Sequence, residues 1–163
     1  QKSGNLTPMH VMVLSPPLQT YPDILKLLLK YGGNANLLTS ENFDMAAQEF
    51  LLGKLDRSLF EPVRGMTPIQ ALCLRVDVER QQDILPILEE MLKILIPASV
   101  DSFRPSHRYL DHTPLSLAIA RGSSQFVKIL LEAKEMVDPN RISGHTHGNA
   151  LAVLMRYLGT SPL

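Results

Sequence analysis

Three threonine–proline pairs, each opening a short apolar run, constrain this chain more than any other feature. Thr7-Pro8 precedes Met9-His10-Val11-Met12, Thr67-Pro68 precedes Ile69-Gln70-Ala71-Leu72, and Thr113-Pro114 precedes Leu115-Ser116-Leu117-Ala118. A threonine in the N-cap position accepts, through its hydroxyl, from one of the N–H groups that the first helical turn leaves free. Proline in the next position has the right φ already and needs no N–H there. Each run is followed, some way on, by a second and more strongly apolar helical pattern. Cap, short helix and second helix, repeated three times, predict an all-α chain made of helix pairs.

Taken in order, the helix opened by Thr7 is apolar through Leu14, and Ser15-Pro16-Pro17 stops it. A long connection, 15–22, leads to a second helix expected to bury Ile24, Leu27, Leu28 and Tyr31, with Leu25 and Leu29 widening the stripe and Lys26 and Lys30 outside. Gly32 suits the left-handed position that ends a helix. Residues 40–61 break the pattern: Asn42 is a possible cap for a helix carrying Phe43, Ala46, Ala47, Phe50 and Leu51 on one face. Too few residues precede Thr67 for a standard repeat of about 33. A shortened, degenerate repeat and one extra inserted helix both remain open. The Thr67 helix runs to about Arg75, and the polar connection 76–83 follows. Asp83 is then expected to cap a helix lined by Ile84, Ile87, Leu88, Met91 and Leu95. In the third copy Ser123 or Ser124 caps Phe126, Ile129, Leu130 and Ala133.

This pattern resembles the ankyrin repeat, whose signature is Thr-Pro-Leu-His-x-Ala, a second helix and a Gly-Ala-Asp-x-Asn close. The first copy carries Thr7-Pro8-Met9-His10 and closes with Gly32-Gly33-Asn34-Ala35-Asn36; the third carries Thr113-Pro114-Leu115-Ser116-Leu117-Ala118, Gly122 and Asp138-Pro139-Asn140. The second keeps Gly65 and Thr67-Pro68, but its close is reduced to Pro97-Ala98-Ser99-Val100-Asp101. The resemblance implies an ankyrin-repeat solenoid of stacked helix pairs with short hairpin-like turns, of about four to five units including degenerate and partial ones. Read as one domain over 1–163, the units are 1–39, 40–61 (degenerate repeat or inserted helix), 62–101, 102–141 and a partial terminal repeat at 142–163, where Gly148 to Met155 looks like a last first helix. It also implies a hydrogen-bonding structural role for His10 beside Thr7, in a network that must differ where Gln70 and Ser116 replace it.

Proteins of this family bind partners on the concave side, through the fingers and the first helix of each repeat. Carried over by position, the residues before the threonines are Leu6, Met66 and His112, and the finger residues include Gly4, Arg64, Tyr109 and Leu110. The outward inner-helix positions are Leu14, Ser15, Leu74, Arg75, Ala120 and Arg121. Arg64, Met66, Leu74, Arg75, Arg108, Tyr109, His112 and Arg121 are the expected partner contacts, since methionine, aromatics and arginine are favoured at interfaces. The stretch Ser102 to Tyr109 mixes cations with aromatics. It reads first as a solvated turn and second as a receiver for an acidic or extended peptide.

Other classes find little support. Basic and acidic residues balance at 16 each, so no global field favours nucleic acid or anionic lipid. No apolar run approaches the length of a membrane span. Cys73 is the sole cysteine, which excludes an internal disulfide and suits an intracellular, cytoplasmic or nuclear, setting. His145-Thr146-His147 lacks the further ligands of a metal set and reads as a polar loop. No phosphate loop, nucleophile elbow or His-Glu-x-x-His motif occurs. The expectation is a non-catalytic module without metal or cofactor, whose partner is a protein or peptide. The chain starts at Gln1, as a piece of something longer would, which leaves open a regulatory segment packing against its own parent chain.

Overall fold

A computed structural model describes residues 6–39, 65–79, 81–103 and 113–139. Among these, the regular elements are helices: α1 (Pro8–Leu14), α2 (Tyr21–Lys30), α3 (Pro68–Arg75), α4 (Leu85–Ala98), α5 (Pro114–Ala120) and α6 (Ser124–Glu132), with a 3-10 turn at Val100–Phe103. Each threonine–proline pair starts a helix. The Thr7 and Thr113 hydroxyls accept from the N–H groups of His10 and Ser116 at 3.3 and 3.1 Å. At Thr67 the return half of a capping box is clearest, with its N–H donating to the Gln70 Oε1 at 2.9 Å. Ser123 caps α6 by accepting from Phe126 N. In contrast, α4 starts after Ile84 without a side-chain cap; Asp83 does not supply one, and Pro86 sits in the first turn. That helix continues to Ala98 and carries Pro97 in its last turn, inside the stretch expected to be a closing turn.

The six helices pack as neighbouring pairs in two ranks. α1 packs on α3 and α3 on α5; α2 packs on α4 and α4 on α6. One core runs through all three pairs, including Met9, Val13, Leu25, Ile69, Leu72, Leu88, Met91, Leu95, Leu115, Phe126 and Leu130. The close of the first pair is tied to that of the second by one side chain: Asn36 Oδ1 accepts from Asp101 N at 3.0 Å and its Nδ2 donates to Ala98 O at 3.4 Å. Gly32 holds the left-handed conformation, φ +90°, at the end of α2. At Gly33 any Cβ would lie 2.7 Å from both Leu28 O and the Met9 methyl, so the chain passes there only as glycine.

The buried stripe of α2 is not the expected one. Leu25 is fully buried, Tyr21, Leu28 and Leu29 are partly buried, and Ile24, Leu27 and Tyr31 are 39, 53 and 81 % exposed. The reason lies in the stacking. Aligning the outer helices on Lys26, Lys93 and Lys128 puts Leu25 and Leu29 level with Leu92 and Ile96 and with Val127 and Leu131. The other flank aligns Ile24 and Leu27 with Met91 and Ile94 and with Phe126 and Ile129. A helix inside a rank is covered on both flanks, whereas an end helix is covered on one. Hence Met91 and Phe126 are fully buried while their counterpart Ile24 is exposed, and Leu92 is fully buried while Leu131, on the same flank at the other end, is 38 % exposed. Ile119, Val127 and Leu131 there line an open apolar groove of about 560 Å³.

Candidate partner-binding face

Hydrogen bonds join Thr39 to Gly65 and Met66, on either side of residues 40–64. Thr39 N donates to Met66 O at 2.8 Å, Gly65 N to Thr39 O at 3.2 Å, and Met66 N to the Thr39 hydroxyl at 2.9 Å. The chain therefore leaves at Thr39 and returns at Gly65 within hydrogen-bonding distance. Directly beside this junction α1 packs on α3 and α2 on α4.

His10 ties Met66 to the start of α1. Its Nδ1 accepts from Thr7 N at 3.3 Å and lies 2.8 Å from the Thr7 hydroxyl, which leaves Nε2–H to donate to Met66 O at 2.9 Å across 56 residues. The ring is fully buried, and burial lowers its pKa from 6.5 to about 4, against a smaller raising effect of the Met66 carbonyl. His10 is thus a neutral structural imidazole. At the equivalent place in the second pair, Gln70 makes the return bond to Thr67 N, and the Thr67 hydroxyl lies 2.6 Å from that of Ser102. In the third, Ser116 turns its hydroxyl back to Thr113 O at 2.9 Å.

The structure separates the expected contact residues. Arg64, Arg108, Tyr109 and His112 lie outside the described residues, as do the paired His145 and His147. Met66 and Arg75, both expected among the partner contacts, are buried. Met66 is 8 % exposed and its backbone bonds to Thr39, so its side chain belongs to the interior. Arg75 is 4 % exposed, and its Nη1 donates to Val13 O and Ser15 O at 2.9 and 2.7 Å. Burial lowers its guanidinium to about 10, still charged at neutral pH. Leu14, in the matching position of α1, is also buried. Leu74 is partly exposed, and Arg121 is exposed while its Nε donates to Val76 O at 3.0 Å.

Arg75 and Arg121 stand eight residues after their threonines. Each reaches back to carbonyls at or just past the end of the preceding inner helix, where the helix dipole favours a cation. They fasten adjacent pairs together. A sequence reading sees arginine in an outward position; the signal it missed is the shared spacing from the cap.

Among the described residues no group of histidine, cysteine and carboxylate side chains is arranged to hold a metal ion, and no helix is long and apolar enough to cross a membrane. Cys73 is fully buried, and burial pushes its thiol far above the usual range.

Side-by-side helix pairs opened by Thr-Pro caps are consistent with helical repeats. The family model for the ankyrin repeat matches residues 110–143, the third pair with its flanks, and supports an ankyrin-repeat domain. No curated protein and no solved structure gives a significant match.

Proposed function

We propose that this chain is a non-catalytic protein–protein interaction module that binds a partner protein or peptide on the face formed by its fingers and inner helices. Ankyrin repeats serve generally as interaction modules, and the repeat at residues 110–143 carries the reading. The surface is a solenoid of stacked pairs. Arg121 and Leu74 are its surface contacts among the described residues, joined by Arg64, Arg108, Tyr109 and His112 from the fingers. The balanced charge and the single buried thiol fit work inside the cell on a protein rather than on nucleic acid. Affinity capture with the isolated domain, read by mass spectrometry, tests this. A specific partner retained by the native chain and lost in Arg121→Ala, Arg64→Ala or Tyr109→Ala supports it; capture indifferent to all three refutes the assigned face.

One observation favours a second reading, a regulatory segment that packs on its own parent chain. Both ends of the described stack expose apolar flanks, at Ile24 and Leu27 and at Val127 and Leu131. In that case capture fails with the native domain, and Leu27→Asp or Leu131→Asp releases the segment from the parent protein.

A further inference from the structure

Arg75 carries a positive charge into the protein with no ion-pair partner among the described residues. Its Nη1 makes both recorded hydrogen bonds, to Val13 O and Ser15 O. Neither bond uses the Nε–Nη2 edge, and the buried Nε has no hydrogen-bond partner among the described residues. That edge presents two parallel N–H groups, the arrangement that matches the two oxygens of a carboxylate. A buried donor without an acceptor is a cost that folded proteins rarely carry. Arg121, in the equivalent position, does not carry it, because its Nε donates to Val76 O. Arg75 also lies close beneath the surface: Ser15, Leu74 and Asp77 beside it are partly exposed, and Pro16 and Leu18 on the adjoining connection are exposed.

We propose that the Nε–Nη2 edge of Arg75 is a carboxylate-binding site, filled by an aspartate or glutamate side chain of the protein partner. This rests on the partner-face reading above and names the chemistry of one contact within it. A single negative charge suits the position better than a phosphate dianion. The Val13 and Ser15 carbonyl oxygens already crowd the guanidinium with partial negative charge, and a dianion beside a helix C-terminus is repelled. The carboxylate supplies the two acceptors that the edge lacks, while Nη1 keeps its carbonyls.

The test observes the arginine Nε–H signals of the ¹⁵N-labelled whole chain, assigned by triple resonance so that no variant is needed. The probe is N-acetyl-glutamate amide, with N-acetyl-glutamine amide, sodium phosphate and sodium chloride as separate arms at equal ionic strength. The expected result is a saturable shift of the Arg75 Nε–H with the glutamate probe, no shift with the glutamine probe or chloride, and a smaller one with phosphate. An unmoved Arg75 signal, an equal response to chloride, or a response to phosphate larger than to the glutamate probe overturns the proposal. In Arg75→Lys, which lacks the planar fork, apparent affinity for the probe drops by about tenfold or more. No partner is present in the titration, so its failure and a failed affinity capture are distinguishable.

Discussion

The His10 imidazole makes the stability of this fold depend on pH in a way that one substitution isolates. In the folded chain the ring is neutral, with its pKa lowered from 6.5 to about 4; unfolded, it titrates near the ordinary value. Between these values the unfolded chain binds the extra proton, so stability rises with pH across the window from about 4 to 6.5. The contribution is fully present above 6.5 and is lost as pH falls toward 4; a shift of this size corresponds to ~3 kcal/mol. The second pair provides the control, since Gln70 replaces histidine there and still bonds Thr67 N. In His10→Gln the amide oxygen can accept from Thr7 N and the amide nitrogen can donate to Met66 O, without a titrating group. Urea unfolding of both proteins at closely spaced pH values gives the difference curve, in which the other four histidines, present in both chains, cancel to first order. The native chain should lose about 3 kcal/mol more than the variant between pH 6.5 and 4. Parallel curves would refute a buried neutral His10.

Further substitutions test the packing. Leu25→Ala should cost about 2–5 kcal/mol and Leu27→Ala less than about 0.5 kcal/mol, measured by chemical denaturation; equal costs would restore the expected stripe of α2. Cys73 should resist a thiol reagent in the folded chain and react at the rate of global unfolding, so fast labelling under native conditions would contradict its burial. Replacing residues 41–63 with a four-residue turn shortens the excursion closed by Thr39 and Gly65, and loop-closure entropy then favours the shorter chain by about 1.3 kcal/mol. A large loss of stability with a smaller denaturant slope would instead mean that the segment is a packed repeat.

Helix starts were the most legible part of the fold, because a Thr-Pro cap is local chemistry that tertiary contacts seldom override. Thr7, Thr67 and Thr113 all open helices, and Gly32 and Gly122 take up positive φ. The role of His10 beside Thr7 was legible through the family resemblance; its bond to Met66 O was not, since it spans 56 residues. The buried face of α2 was ambiguous because Ile24, Leu25, Leu27, Leu28 and Leu29 supply apolar residues in two helical phases. Only the position of α2 at the end of a rank selects between them. Arg75 was misplaced for a related reason. Sequence spacing puts it on the outward side of α3, but its long side chain folds back to the carbonyls of the neighbouring helix. Of the expected contact set, the fingers that carry Arg64, Arg108, Tyr109 and His112 remain readings of the sequence.

The central claim is the order of the two ranks, with α3 between α1 and α5 and α4 between α2 and α6. Methyl–methyl NOEs in a chain labelled at Ile, Leu, Val and Met test it most directly. The account predicts contacts linking α1 to α3, α3 to α5, α2 to α4 and α4 to α6. Contacts of α1 with α5 stronger than those of α1 with α3 would contradict it.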